Sequence, residues 1–387
     1  MTKSRAALKF VVLLGFVSLC ADATYEGARS ITGAYLAVLG ASGTVVGLTA
    51  GLGELIGYTL RLVTGYLSDR TRQYWGITTV GYAINTAVVP LMALAGRWEV
   101  LAGLMIAERT GKAIRTPPRD VLLSHAAIRV GKGFGFGLHE AMDQIGAVSG
   151  PLLVTAVLAL QQGYPAGFAI LVVPAVLGMV ALLIGQRIYP NPRDFEPPTQ
   201  DLHGEGLPRR FWIYLIAVAL IAAGFVDFPL IAFHLKQAGL NQPTQIPLLY
   251  ALAMGVDAIA ALLFGYWFDR IGINTLILAI LLSMGFAPVI FWGGTGAAII
   301  GMVLWGIGMG AQESILKAVV AGMVSPERRG SAYGIFNTGY GLAWFVGSAL
   351  MGVLYDRSLI ALVSFSVVIQ LIAILVLWML RFDTRPA

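Results

Sequence analysis

Long apolar stretches, separated by short polar turns, recur along the whole chain. A bilayer core about 30 Å thick is crossed by a helix of about 20 apolar residues, so each stretch is long enough to span a membrane. Only 12% of the residues are charged, whereas soluble domains have roughly 25%. The chain therefore has too little polar surface to face water on all sides, and we predict an all-α polytopic membrane protein.

Apolar periodicity and turn signals together predict twelve transmembrane helices. The predicted spans lie near residues 8–39, 44–67, 75–96, 99–118, 134–161, 165–188, 211–237, 245–268, 273–294, 296–322, 331–355 and 359–381. A proline-rich stretch of mixed charge separates the sixth span from the seventh. We therefore predict an N-terminal six-helix bundle (1–188), a cytoplasmic linker (189–210) and a C-terminal six-helix bundle (211–387).

Basic residues are distributed unevenly between the two sets of loops. With the N-terminus inside, the outer loops contain only Arg97, Lys236 and Arg357, and the other loop residues of this kind, Arg119 among them, lie inside. The positive-inside rule then predicts a multi-pass protein of the cell (inner) membrane with both termini cytoplasmic. The same sidedness accounts for the net charge of +6, and we expect no nucleic-acid partner.

Several charged motifs occur once in each half of the chain. One loop pattern, a glycine four residues before an Asp-Arg pair, appears at Gly65, Asp69 and Arg70 and again 200 positions later at Gly265, Asp269 and Arg270. Three other residues of the first half have a counterpart of the same type 205 positions later: Asp22 matches Asp227, Glu108 matches Glu313 and Lys112 matches Lys317. Two pseudo-symmetric six-helix bundles related by an axis along the membrane normal would produce such repeats.

On these motifs the chain resembles the major facilitator superfamily of secondary transporters over nearly its whole length. The loop at 65–72 is similar to the cytoplasmic signature of that family, with Arg72 where a glycine is usual, and the loop at 265–272 resembles its second copy. In the fifth span, the spacing of a further set resembles a motif of drug/proton antiporter members: Gly137, Gly146, Gly150 and Pro151. The resemblance implies alternating access around a central cavity lined by spans one, four, seven and ten.

The repeated loops and the fifth-span motif each have two interpretations. Asp69 and Asp269 are predicted to make gating contacts that help to hold an outward-open state, or else they are simple counter-charges to inner arginines. The fifth-span glycines permit close helix approach, and Pro151 kinks the helix beyond them. This motif is predicted to seal the fifth span against the opposing bundle, the alternative being ordinary packing.

Ionisable residues are concentrated on the first, fourth, seventh and tenth spans. Each costs several kcal/mol in hydrocarbon (about 2.5–3.5 on insertion scales), so they must face a wet cavity or one another. The candidates for a cavity or substrate site are Glu26, Arg29, Glu108, Arg109, Lys112, Arg115, Glu313 and Lys317. The alternative is a set of structural ion pairs within each bundle.

Two aspartates are candidates for proton coupling. Asp22 has Glu26 one turn away and no basic residue within one turn, and Asp227 likewise has no Lys or Arg within one turn. Burial and a neighbouring like charge favour the neutral form of a carboxyl group. Glu108 and Glu313, each with a lysine at i+4, are expected to stay ionised. Carboxylates also bind Na⁺, so the coupling ion stays open.

The sequence predicts a secondary active transporter that exports a small organic solute by proton-coupled antiport. The alternative is proton symport or uniport of an organic anion, favoured by the basic residues Arg29, Arg109, Lys112, Arg115 and Lys317. We expect no catalytic residues, metal site or cofactor, and a monomer whose partners are the small-molecule substrate, protons or Na⁺, and the lipid bilayer. A membrane enzyme or sensor built on the same scaffold would need a nucleophile or metal cluster that the sequence does not show.

Overall fold

The computed structural model describes residues 3–160, 163–190, 207–240, 242–324 and 329–382, and within these ranges the regular structure is helical, with no strand. The predicted helical spans are confirmed in the N-terminal half, where spans one to five form α1 (Lys3–Val38), α2 (Gly43–Thr71), α3 (Tyr74–Leu91), α4 (Trp98–Val130) and α5 (Lys132–Ala159). Span six is divided into α6 (Gly163–Ala169) and α7 (Val172–Ile188). A 3₁₀ turn, Met92–Leu94, follows α3. Residues 191–206 of the predicted linker lie outside the described ranges.

The C-terminal half has the same number of spans. Spans seven and nine are divided, into α8 (Arg209–Gly224) with α9 (Phe228–Gln237), and α11 (Asn274–Ser283) with α12 (Phe286–Trp292). The other four are continuous: α10 (Gln245–Ile271), α13 (Gly294–Met323), α14 (Arg329–Arg357) and α15 (Leu359–Phe382). Over the described residues, nine of the twelve spans are apolar and long enough to cross a membrane by length and composition alone; α2, α4 and α14 are more polar.

The fourth span is longer than its apolar pattern predicts. Although Pro117 and Pro118 interrupt its backbone hydrogen bonding, α4 continues to Val130. Beyond the prolines, Leu122 and Leu123 pack into the apolar core of α1 and α3, which supports the last turns. The assignment of Arg119 to an inner loop is therefore wrong: it lies within α4, and its side chain is only 13% exposed.

The chain divides by packing into two compact units. The first comprises Met1–Tyr35, Ile56–Gln200 and Gln242–Ala251, and the second comprises Leu36–Leu55, Asp201–Asn241 and Leu252–Ala387. Thus α2 contributes its first half to the second unit and its second half to the first. The bundle boundaries expected at 188 and 211 follow the sequence repeat rather than this packing, and they stay a prediction.

Each unit has its own apolar core. In the first, Phe10 and Trp75 pack edge to face with ring centroids 6.0 Å apart. In the second, the ring of Phe225 lies 4.9 Å from that of Phe286 and 5.8 Å from that of Trp305. Since aromatic rings bury the largest apolar areas of any side chains, these clusters fix the helices that carry the polar residues described below.

Two glycines of the fifth-span motif bring α5 against α1. A Cβ atom on Gly146 would overlap the carbonyl oxygen of Leu19, and one on Gly150 would overlap that of Ala23. Both contacts lie within the first unit, so the predicted seal against the opposing bundle is corrected for these two positions. Gly137 has open space where its Cβ would be, and Pro151 lies inside the helix just beyond the contact.

Candidate functional site

The charged residues of the first and fourth spans meet inside the first unit. Positions three, four and seven apart share one face of a helix, so Asp22, Glu26 and Arg29 follow one side of α1. The α3 and α4 backbones approach closely at two glycines of the crossing: a Cβ on Gly81 or on Gly111 would overlap the opposite backbone. This contact draws the polar face of α4 into the interior.

Asp22 forms an ion pair with Arg115 of α4. Nη2 of Arg115 lies 3.2 Å from Oδ1 of Asp22; the arginine side chain is 1% exposed and that of the aspartate 16%. The guanidinium carbon also lies 4.4 Å from the centroid of the Tyr82 ring. Sequence reasoning found no basic neighbour for Asp22 because this partner stands on another helix, 93 positions away.

A second polar group surrounds Arg119. Its Nη2 lies 2.7 Å from Oδ1 of Asp120 and its Nη1 lies 3.8 Å from Oδ2 of Asp143. Nη1 also donates to Oγ of Ser18 at 2.9 Å. His139 joins this group: its Nε2 is 2.9 Å from the same serine oxygen, and its Nδ1 is 3.5 Å from Oδ2 of Asp143. This group extends the ionic interior of the first unit along α4 and α5.

Three cations surround the ring of Tyr25. The Lys112 ammonium lies 3.7 Å from the ring centroid, the Arg109 guanidinium carbon 4.7 Å and the Arg29 guanidinium carbon 6.0 Å. Nη1 of Arg29 also donates to the Tyr25 hydroxyl at 2.9 Å. We call Tyr25 and these three basic residues the Tyr25 cluster.

The two acidic residues next to the Tyr25 cluster accept hydrogen bonds from neutral side chains. Tyr250 donates its hydroxyl to Oε2 of Glu26 at 2.5 Å, and Asn85 donates Nδ2–H to Oε1 of Glu108 at 2.5 Å. Both glutamates are buried, and Nε of Arg109 lies 3.8 Å from Oε2 of Glu108. Sequence reasoning missed Tyr250 and Asn85; the available signal was a polar side chain inside an apolar span, where each donor needs a partner.

Asp227 lies at a break in the seventh span. Its Oδ1 accepts from the backbone N–H of Phe228 at 2.8 Å and caps α9. Before it, the indole N–H of Trp305 donates to the Val226 carbonyl oxygen at 2.9 Å, and Ser366 donates to that of Gly224 at 2.6 Å. Side chains thus bind carbonyl groups that the interrupted helix leaves open.

The tenth span places its charges differently from the fourth. Glu313 and Lys317 are exposed on α13, whereas Glu108 is buried on α4. The buried polar group of α13 is Gln312, whose Oε1 accepts from the Tyr340 hydroxyl at 3.1 Å. The 205-residue repeat therefore relates sequence positions that differ in burial.

The two signature segments are not loops but the last turns of α2 and α10, where most of their side chains are exposed. Each helix is followed by one residue in a left-handed conformation. Arg72 has φ = 59° and Gly272 has φ = 58°, both in the left-handed region. Tyr74 donates its hydroxyl to Oδ1 of Asp69 at 3.3 Å. The guanidinium of Arg270 stacks 3.8 Å from the centroid of the Tyr266 ring. The gating role predicted for Asp69, Asp269 and their neighbours Gly65, Arg70 and Gly265 stays a prediction.

Within the described ranges, no group of three or more His, Cys, Asp and Glu side chains is arranged to hold a metal ion. What the site offers instead is a set of paired and clustered charges on α1, α4 and α5, with the polar side chains of Tyr82 and Asn85 from α3 beside them. Such a set can bind a polar solute, exchange a proton, or do both.

Comparison with known proteins places these features in a family. Residues 13–316 and 242–387 match the Major Facilitator Superfamily. An uncharacterised protein of Mycobacterium tuberculosis is 42% identical over 383 residues, covering 97% of this chain and 94% of its own length. An uncharacterised transporter of this superfamily from Methanocaldococcus jannaschii is 26% identical over 367 residues, covering 92% and 90%. A mutant form of the nucleoside transporter NupG superposes with a TM-score of 0.76 at 14% identity, covering 95% of this chain and 99% of the other.

Proposed function

Because the chain belongs to the major facilitator superfamily and is a multi-pass membrane transporter rather than an enzyme, we propose that it exports a small organic solute by proton-coupled antiport. Alternating access around the charged interior of the first unit would carry the solute. The observation that carries this proposal is the Asp22–Arg115 ion pair. We further propose the cell (inner) membrane as its location, with both termini cytoplasmic.

The ion pair supplies a physical link between a proton and the solute. Protonation of Asp22 would remove the negative charge that faces Arg115, whose side chain is 1% exposed. A buried cation without its counter-charge is strongly unfavourable (roughly 3–5 kcal/mol when one partner of a buried pair is lost). The protein can then restore balance by rearranging, so that proton binding and solute binding alternate as antiport requires. Binding of an anionic solute to Arg115 would instead make proton and solute bind together, as in the symport alternative.

Asp22 is the better placed of the two proton-coupling candidates. Its side chain is 16% exposed, so water can reach the carboxylate, whereas Asp227 is 2% exposed and caps a helix. We therefore propose Asp22 as the principal proton acceptor and Asp227 as a second one. Na⁺ in place of the proton is the alternative coupling ion, and it would show itself as flux that depends on Na⁺ and not on pH.

Everted membrane vesicles with an internally acidified lumen and a pH-sensitive dye test this proposal. Addition of a transported compound from a panel of aromatic acids, amines and amides should release lumenal protons. Asp22→Asn, normalised to the amount of folded protein, should abolish this release, and Glu99→Gln, which removes an exposed carboxylate, should retain it. If the transported compound still releases lumenal protons from vesicles that contain Asp22→Asn, Asp22 is not the proton acceptor.

The alternative mode is proton symport or uniport of an organic anion, which the basic residues on α1 and α4 favour. The direction of the solute-driven proton flux separates the modes. Antiport moves protons against the solute, symport moves them with it, and uniport of a charged solute moves charge but no proton.

A further inference from the structure

We propose that Asp143 of α5 is a further proton-binding residue, separate from Asp22 and Asp227, and that its proton is coupled to the proton on Asp22. This inference rests on the proposed transport function, because it adds a proton to the same transport cycle. It gives a role to the polar group around Arg119, which the proposed function does not use.

The hydrogen bonds of Arg119 go to groups other than Asp143. Its Nη2 and Nε donate to Oδ1 of Asp120 at 2.7 Å and 3.0 Å, and its Nη1 donates to Oγ of Ser18 at 2.9 Å. The distance from Nη1 to Oδ2 of Asp143 is 3.8 Å, which is too long for a hydrogen bond. Asp120 is therefore the principal counter-charge of Arg119.

The second arginine near Asp143 also has a closer acid. Arg115 acts on Asp143 electrostatically, but its Nη2 lies 3.2 Å from Oδ1 of Asp22. The Lys112 ammonium acts on Asp22 as well, which strengthens the pairing of Asp22 rather than that of Asp143. Of the aspartates paired with these two arginines, Asp143 has the longest ion-pair contact.

The other surroundings of Asp143 oppose its negative charge. Its Oδ1 is buried and accepts no hydrogen bond from the described residues. Two acids, Asp22 on α1 and Glu140 on α5, act on it as like charges. A buried carboxylate with an unpaired oxygen and acidic neighbours is costly, and binding a proton removes the charge that makes it so.

His139 can accommodate both forms of Asp143. Its Nδ1 lies 3.5 Å from Oδ2 of Asp143, and its Nε2 lies 2.9 Å from Oγ of Ser18, which is 3.2 Å from the Tyr82 hydroxyl. With a proton on Nδ1, the neutral ring faces the carboxylate as a donor. With its proton on Nε2 instead, the ring presents Nδ1 as an acceptor to the protonated carboxyl group.

Asp143 also resembles Asp22 in its access to water. The two side chains are 15% and 16% exposed, so neither is sealed inside the first unit. Transfer of one proton from water to Oδ2 converts the carboxylate of Asp143 to the neutral acid. Because the two aspartates repel each other when both are ionised, a proton on one makes it easier for the other to ionise.

Infrared difference spectroscopy of the purified full-length protein tests the assignment without any ion gradient. The protein is labelled with carbon-13 at the aspartate carboxyl groups, and the signal of protonated aspartate is followed over a pH series. We expect Asp143→Asn to remove one titrating component that the parent protein shows. Glu99→Gln, which removes an exposed carboxylate, should keep every aspartate component.

Two further variants retain the Asp143 carboxyl group and change only its surroundings. Asp120→Asn frees Arg119 to pair with Asp143, so the midpoint of the Asp143 component should move to lower pH by roughly one unit, a tenfold weaker binding of the proton. Asp22→Asn should move it in the same direction, because a like charge is lost. Arg97→Gln, which changes a side chain that is 76% exposed, should leave the midpoint unchanged.

The assignment is overturned if Asp143→Asn shows every titrating component of the parent protein, or if Asp120→Asn leaves all the midpoints in place. Asp120→Asn decides the question by itself where Asp143→Asn does not fold. In the vesicle assay, Asp143→Asn should release fewer protons per solute than the parent protein, and equal release would exclude Asp143 from the transport cycle. A parent protein that releases no lumenal protons would end the antiport proposal, whereas the titration of Asp143 would still stand.

Discussion

Arg115 is one of the largest side chains that the fold buries completely, and its guanidinium contacts the Asp22 carboxylate and the Tyr82 ring. Its exposed fraction of 1%, against 16% for Asp22, makes the two members of the pair unequal. Removing the aspartate leaves a cation that water cannot reach. Removing the arginine leaves a carboxylate that water can partly solvate. The two substitutions should therefore lower the free energy of unfolding by different amounts.

We expect Asp22→Asn to lower the free energy of unfolding by about 3 kcal/mol and Arg115→Gln to lower it by less. Because the two side chains touch, the double variant should reveal a coupling energy of about 1–3 kcal/mol. Equilibrium unfolding in mixed micelles measures all four proteins of the cycle. A parallel cycle of Asp22→Asn with Arg97→Gln should be additive within about 0.5 kcal/mol; equal coupling in the two cycles would contradict the ion pair.

At the level of helix packing, the glycines of one motif in α5 differ in what they contact. Gly150 and Gly146 meet main-chain carbonyl oxygens of α1, which cannot swing aside as a flexible side chain could. Gly137 belongs to the same helix, but it meets open space. The resemblance alone did not distinguish these positions, because spacing along one helix does not specify which helix lies opposite.

Gly150→Ala should lower the free energy of unfolding by about 1–3 kcal/mol, since the added methyl group forces α5 away from the Ala23 carbonyl. Gly137→Ala is the matched control, and it should stabilise the protein by roughly 0.5–1 kcal/mol because alanine is the better helix former. Thermal unfolding of both variants in one detergent gives the comparison. Stabilisation by both substitutions would mean that α1 and α5 are not in close contact at Gly150.

The helical spans could be predicted from sequence because their signals are local: apolar runs, flanking charges and turn residues all act within a few positions. The breaks in spans six, seven and nine could not. At Gly224 and Val226, the helix ends early because Ser366 and Trp305 supply hydrogen bonds to their carbonyl oxygens. These partners are 142 and 79 positions away, so no local sequence pattern could predict them.

The candidate site, like the fold, could be predicted only in part: its charged residues were located, but their pairing was not. Charges on α1 and α4 were located because ionisable residues inside apolar runs are conspicuous. Their partners were not, since Arg115, Asn85 and Tyr250 reach their acids from other helices. The repeat does not preserve burial, since Glu313 and Lys317 on α13 are exposed although their equivalents on α4 are not. Their place in a central cavity stays a prediction.

At the scale of the whole molecule, α2 is divided near its middle between the two compact units, since the division falls between Leu55 and Ile56. Its beginning is fixed to the end of α14 within the second unit. The Asp356 carboxylate accepts from the backbone N–H of Gly43 at 2.8 Å, and from the N–H and hydroxyl of Thr44 at 2.7 Å and 2.6 Å. A carboxylate at a helix N-terminus also interacts favourably with the helix dipole. Gly47 and Gly352 then let the two backbones approach closely.

Asp356→Ala should release this end of α2, because it removes the acceptor of three hydrogen bonds at once. Loss of an N-cap costs about 0.5–2 kcal/mol, so the amides of Gly43 and Thr44 should exchange with deuterium roughly tenfold faster. Peptides from the second half of α2, in the first unit, should keep their exchange rates, and so should all of α2 in the Glu99→Gln control. Unchanged exchange at 43–46 in Asp356→Ala would show that the glycine contacts hold this end of α2 without the carboxylate, and that the hydrogen bonds to Asp356 are dispensable for anchoring α2.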